Sequence, residues 1–267
     1  TLYTKGLLEI IIINSGSQQN EDSIIREFST KFENINYIKT EKREGIYKAW
    51  NRGVKIAQGK YLTNANTDDR HRNDSFEILS QVLDENPDVN LAYSDFFLTN
   101  TPNLSFDSTQ IDKEVIRPEF SKEELLNYCY IGPQPMWRAE VHKIAGYFDE
   151  SFRSSGDYDF WCRMVFVHNM KLKRVNQFLG AYYFNTSGIE LGNINVSVLE
   201  TNNIRRIYKN IYETRSAETP EIANSFNQPT AGLVEKYIDV VPLTLVEKGQ
   251  STYTRLKEYD IREFGFG

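Results

Sequence analysis

The sequence predicts an α/β fold built on a mostly parallel sheet flanked by helices. Three observations support this. Strand-like and helix-like stretches alternate through the first half of the chain. The run "IIII" at 10–13 is apolar on both faces, as strands buried in a parallel sheet are. Polar turn clusters, "NSGS" at 14–17 and "NTDD" at 66–69, stand where such strands would end, which is where ligands of open α/β sheets bind.

A chain of 267 residues fits one large domain or one domain with an appendage. Its 40% hydrophobic and 13% aromatic content suffices for a packed core and is not that of a disordered chain. The net charge of −6, with no long basic run, argues against a general nucleic-acid binder. Cys129 and Cys162 lie in apolar neighbourhoods without a CxxC pair, so they read as reduced core thiols. No apolar run reaches transmembrane length, and no signal peptide is visible. The chain opens at "TLYTKGLLEIIII" without an initiator Met, so the missing leader carries no information.

Residues 8–13 read as the first strand. Residues 21–33 carry Ile24, Ile25, Phe28 and Phe32 at helical spacing, and "INYIK" at 35–39 is a second strand. In "GIYKAWNRGVKIAQG" (45–59), Ile46, Ala49, Trp50, Val54 and Ala57 form one helical stripe that Gly59 closes. "KYLTNA" at 60–65 is a third strand. A helix over 73–85 has Asn73 to cap it, with Phe76, Leu79 and Leu83 on one face. "VNLAYSDF" at 89–96 is a fourth strand. Residues 100–118 read as a loop, 121–128 as a short helix and 130–138 as an extended, proline-broken segment. Helices are expected over 139–146 and from 156, strands at 171–175 and 178–184, and a polar helical pattern from about 195. Residues 214–229 read as a linker.

"NTDD" poses a chemical question. Adjacent carboxylates repel and desolvate badly, so a positive group should meet them. Oxygen ligands at a strand end suit Mg²⁺ or Mn²⁺. The alternative is a turn whose aspartates cap a helix and pair with Arg70 or Arg72.

The stretch Gly45, Ala49-Trp50-Asn51-Arg52-Gly53, Ala57-Gln58-Gly59-Lys60-Tyr61 and Asn66-Thr67-Asp68-Asp69 runs without a gap. It resembles the family 2 inverting glycosyltransferases of the GT-A fold. The resemblance implies that Asp68 and Asp69 hold a metal ion, Mn²⁺ or Mg²⁺. Asp68 and Asn66, which replaces the leading aspartate of the DXD motif, would contact the donor. A second match is "AEVHKIAGYFDESFRSSGDYDFWCRM". Gly146, Phe148, Asp149, Glu150 and Phe152 fit the family's G-x-F-D-E-x-F, and Gly156-Asp157 stands where Glu-Asp is usual. The resemblance makes Asp157 the catalytic base. The other reading of Asp157 is a plain helix N-cap. Asp159 faces away from it, toward solvent or a structural role.

A third match, Asn14-Ser15-Gly16-Ser17, keeps the family's Gly and Ser but lacks its carboxylate. Asn14 and Ser15 are expected at the nucleotide, with Asn14 able to donate and accept, or else they form an ordinary turn. Arg43 and Lys48 fall in a region that nears the nucleotide in the family. Asn185 matches a position of weak phosphate contact. Trp137 and Arg138 face either the acceptor or the core. His71 is left out of the metal site. The family's first strand would precede residue 1.

The implied assembly is a GT-A domain over 1–190 with a helical extension over 191–267. The implied activity is inverting, metal-dependent transfer of one sugar from a nucleotide-diphosphate sugar, UDP-sugar favoured. The acceptor would be glycan or lipid-linked, in cell-surface glycan or polysaccharide synthesis. The absence of a Q-x-x-R-W signature favours single transfer over processive synthesis. The implied location is the cytoplasm, with peripheral association at the inner membrane face left open, and no nucleic acid as partner. Two other classes stay open: a catalytically inactive nucleotide-binding module and a sugar nucleotidyltransferase.

Overall fold

The computed structural model describes residues 6–184 and 194–217. Asn185 and most of the expected linker at 214–229 lie outside them.

Strand β1 (Ile10–Asn14) and strand β2 (Ile35–Lys39) form a parallel pair, with Ile10 opposite Ile35 and Asn14 opposite Lys39. Helix α1 (Glu21–Lys31) connects them. The isoleucine run is not buried on both faces as expected: most of β1 is half-buried and Ile10 is exposed. Among the described residues β1 pairs only with β2, so its other edge has no strand to cover it. Helix α1 likewise buries no residue, and Ile24 and Phe28 are exposed.

Helix α2 (Ile46–Ile56) leads to the main sheet, which runs β3 (Tyr61–Thr63), β7 (Met136–Arg138), β5 (Val89–Thr99), β8 (Lys171–Tyr183) and β4 (Arg70–His71). Strand β6 (Lys113–Val115), inside the expected loop, also pairs with β5. Only β5 and β8 pair in parallel here, so the main sheet is mixed, with most of its pairings antiparallel. The proline-broken segment returns through β7 between β3 and β5, antiparallel to both. The two strands expected at 171–184 are one, β8, because register shifts against β5 absorb the polar Asn176-Gln177 step. Helix α2 stops at Ala57 in extended backbone, so Gly59 does not close it. Helix α3 (Ser75–Glu85) has Asp74, not Asn73, at its N-cap.

The larger core cluster is aromatic and joins Tyr93, Tyr130, Trp137, Phe148, Tyr158 and Trp161. Full burial of an apolar side chain contributes roughly 1.5–3 kcal/mol, so this cluster dominates stability. Helices α4 (Lys122–Asn127), α5 (Val141–Ala145), α6 (Gly156–Cys162) and α7 (Ile194–Ala217) pack around it. From α7, Ile204, Tyr208 and Ile211 enter the same cluster. Trp137 is a core residue whose indole N–H donates to His142 Nε2 at 3.0 Å, and buried Arg138 donates to the carbonyls of Leu83, Val89 and Asn86. Both are therefore structural. Cys162 is buried and Cys129 is half-buried. Among the described residues no helix is long and apolar enough to cross a membrane.

Candidate active site

Asp157 lies in the first turn of α6, half-buried as a residue and with its carboxyl group desolvated. Burial pushes its carboxyl above the ordinary range, and the negative charge of Glu200 acts the same way. The Tyr158 backbone N–H and the Tyr47 hydroxyl pull in the other direction. Tyr47 Oη lies 3.2 Å from Asp157 Oδ1 and also bonds the Ser154 carbonyl. Its ring packs against Gly156, where an added Cβ would fall 2.7 Å from a ring carbon. Glycine is thus the residue this packing demands, and the family's glutamate at this position would not fit beside Tyr47.

Four residues after Tyr47, on the same face of α2, buried Asn51 accepts from the Phe148 N–H at 3.0 Å. Its amide group donates to the Phe148 carbonyl at 2.8 Å and to Glu150 Oε1 at 3.0 Å. The two stretches that carry the family resemblance are therefore bonded to each other. Tyr47 was not singled out from the sequence, and Asn51 was read there only as part of the family stretch at 49–53. A buried Tyr and Asn at i and i+4 on an otherwise amphipathic helix is the signal that could have found them.

Helix α7 clamps the loop before Asp157. The Glu200 carboxylate accepts from the N–H groups of Arg153, Ser154 and Ser155 at 2.8, 2.9 and 2.9 Å. Ser154 Oγ meets Ser197 Oγ at 2.6 Å, and Ser155 Oγ meets Thr201 Oγ1 at 3.1 Å. Asp159 pairs with Arg163 at 2.7 Å and accepts from the Tyr208 hydroxyl at 2.9 Å, which makes it structural.

A cavity of about 220 Å³ opens at this point, lined by Asp157 and Trp161 from α6, Asn64 and Asn66 from the end of β3, and residues of α7. The structure thus brings Asn66 and Asp157 to one space. The other expected site residues do not line it.

At the β3 end, Asp69 is buried and its carboxyl is pushed up to about 7, chiefly by burial. It accepts from Asn66 Nδ2 at 3.0 Å and from the Tyr183 N–H at 3.1 Å, tying the turn to β8. The nearby arginines do not neutralise it. Arg70 donates to the carbonyls of Leu104, Thr67 and Asp69, and Arg72 pairs with Asp74. A desolvated carboxylate beside half-buried Asp68, without a basic side chain on it, is a donor set that fits a hard divalent cation. Among the described residues no three His, Cys, Asp or Glu cluster as a self-sufficient metal cage. The carboxylates here would need ligand oxygens to complete a coordination sphere. His71 is engaged elsewhere: its Nε2 contacts the Asn64 carbonyl at 3.2 Å, and burial lowers its pKa.

The turn after β1 interlocks with the segment after β2. Ser15 Oγ accepts from the Glu44 N–H at 2.6 Å, and Gly16, at φ 65°, leaves no room for a Cβ against the Arg43 backbone. Asn14 donates to the Tyr37 hydroxyl and accepts from the Ser17 N–H, each at 2.9 Å. Arg43 is exposed beside them. Lys48 pairs with Glu44 at 3.1 Å. Asn14, Ser15 and Arg43 therefore form a second group at the β1 and β2 ends.

Comparison with known proteins matches the chain to glycosyltransferases. The glycosyl transferase family 2 model matches residues 2–130. An uncharacterized glycosyltransferase of Methanocaldococcus jannaschii is 28% identical over 176 residues, 65% of this chain and 59% of that protein. Chondroitin synthase of Escherichia coli is 26% identical over 165 residues, 61% of this chain and 23% of the synthase. S. aureus TarS 1–349 with UDP-GlcNAc superposes with a TM-score of 0.57 at 14% identity, covering 89% of this chain and 74% of that one. The Pyrobaculum calidifontis mannosyltransferase PcManGT with GDP-Man and Mn²⁺ gives 0.54 at 12% identity, covering 80% of this chain and 57% of that one. Over residues 2–130 the chain is similar to glycosyl transferase family 2, and it has a GT-A-type fold. It spans 59% and 62% of the length of two curated glycosyltransferases that it matches.

Proposed function

We propose that this chain transfers a single sugar from a nucleotide-diphosphate sugar, a UDP-sugar by preference, to a hydroxyl of a glycan or lipid-linked acceptor, with inversion. The observation that carries this reading is that Asn66, from the strand-end acidic turn, and Asp157 line one cavity. The acceptor oxygen attacks the anomeric carbon as Asp157 takes its proton. The bond to the diphosphate breaks, and its electron pair leaves with the diphosphate. A carboxyl with a raised pKa is the stronger base for this task. Asp68 and Asp69 would hold Mn²⁺ or Mg²⁺, which supplies charge neutralisation at the leaving diphosphate. Asn14, Ser15 and Arg43 would meet the nucleotide. Tyr47 supports an active enzyme over an inactive module, since it supplies Asp157 with a partner where the family's glutamate is missing.

The test is a thermal-shift screen of UDP, GDP and other nucleoside diphosphates, with and without Mn²⁺, paired with nucleotide release from the matching nucleotide sugars. One diphosphate at 100 times its Kd should stabilise the fold by about 2.7 kcal/mol, with affinity raised by Mn²⁺. Lack of stabilisation by every diphosphate in both conditions would contradict the reading.

A further inference from the structure

The Asp157 cavity has a charge pattern that proton abstraction does not require. Its charged lining residues are Asp157, Arg117 and Arg205, two guanidiniums against one carboxylate. Arg117 is buried, with its guanidinium carbon 4.5 Å from the centre of the Phe96 ring. Arg205 projects from α7. Its guanidinium meets the Tyr158 hydroxyl and its Nη1 reaches Asn202 Oδ1 at a long 3.5 Å, while its buried Nε has no hydrogen-bond partner among the described residues. A desolvated guanidinium donor without an acceptor is costly and calls for one. The hydroxyls of Ser154, Ser197 and Thr201 add neutral donors around the same space.

We infer that this cavity is the acceptor subsite and that it selects an acceptor bearing an anionic group, a phosphate ester or a carboxylate, which Arg205 and Arg117 engage. The inference rests on the glycosyltransferase reading and extends it to the acceptor class. Planar guanidinium forks match the oxygens of both anions. The anion belongs to the acceptor and not to the donor diphosphate. Asn66 brings the donor turn to the edge of this cavity, but Asp68 and Asp69, which would meet the diphosphate through the metal, do not line it, whereas Asp157, the base for the acceptor hydroxyl, does. At about 220 Å³ the space suits a unit of one sugar or polyol phosphate, being smaller than the roughly 300–1,000 Å³ of drug-sized pockets.

The test is isothermal titration of four probes at fixed ionic strength, with and without UDP and Mn²⁺. Glycerol 3-phosphate and glucuronate are the two anions, and glycerol and glucose are their neutral counterparts. At least one anion should bind about tenfold or more tightly than its counterpart, an increment that charge-assisted bonds supply. Whichever anion wins identifies the source. Arg205→Gln should bring that anion down to its neutral counterpart, and Arg205→Lys should restore it in part. UDP affinity should stay as in the wild type in both variants. Arg117→Gln should act in the same direction, and Arg205, on a half-buried helix face, keeps the test valid if that variant misfolds. Equal binding of charged and neutral probes would overturn the subsite. So would a fall in UDP affinity in Arg205→Gln, which would assign the guanidinium to the donor. Failure of the wild type to bind any nucleoside diphosphate would instead sink the glycosyltransferase reading, while the titrations without UDP still report on the anion.

Discussion

The Tyr47 hydroxyl stands 3.2 Å from Oδ1 of Asp157 across 110 positions of sequence, and its ring occupies the space a side chain at position 156 would need. Helix α2 thereby fixes the carboxylate that α6 presents to the cavity. Positioning by a neutral hydroxyl leaves the carboxyl less stabilised as an anion than a cationic partner would, which preserves its basicity.

Tyr47→Phe tests this link by pH. Wild-type kcat/KM should fall as pH drops through the raised pKa of Asp157, above the usual carboxylate range of about 3.9. The hydroxyl bond lowers that pKa, so Tyr47→Phe should move the acid limb to higher pH. It should also cost about 1 kcal/mol in urea unfolding. An unmoved limb would detach Tyr47 from the base.

Gly156→Ala places a methyl group 2.7 Å from the Tyr47 ring. Overpacking of this kind costs roughly 1–3 kcal/mol. Combining it with Tyr47→Leu should recover part of that loss, read as a favourable coupling in a double-mutant cycle on urea unfolding. Strict additivity would mean that the ring and position 156 do not press on each other.

Glu200→Ala removes the acceptor of three backbone N–H groups that shape the loop before Asp157. The expected loss is about 1–3 kcal/mol in stability. Turnover should fall while nucleotide affinity holds, since Glu200 acts on the base loop and not on the β3 end. A selective loss of nucleotide binding would contradict the clamp.

The sequence carried the fold where pattern is local. The stripe of α2 is legible because Ile46, Trp50 and Val54 repeat with helical period and pack on the aromatic core. Strand β7 and the two-residue β4 were not legible. Their pairings join segments tens of residues apart, and neither is long enough to show a period. The isoleucines of β1 spell a buried strand, but burial depends on neighbours that their own letters do not contain. At the site, Asp157 and Asn66 could be picked out because they sit in spaced motifs. Tyr47, Arg205 and Glu200 could not, because each acts through a contact made only in three dimensions, and Asn51, though it sits in a spaced motif, shows its bonds to Phe148 and Glu150 only in the fold.

Asp68→Asn addresses the cation. If Asp68 helps to hold Mn²⁺, the variant should lose the gain in UDP affinity that Mn²⁺ gives and leave metal-free affinity unchanged, as read by titration with and without EDTA. An undiminished Mn²⁺ effect would remove Asp68 from the metal site.

Asp157→Asn tests the central claim most directly, by nucleotide diphosphate binding and nucleotide-sugar turnover on one preparation. Burial raises the Asp157 pKa, so its contribution to folding is present at acid pH and lost as pH rises through that pKa. The Asn variant should therefore melt no lower than wild type at pH 8, which separates lost chemistry from lost fold. The account predicts unchanged nucleotide binding and turnover reduced by about 10²–10⁴-fold. Turnover equal to the wild type would contradict it.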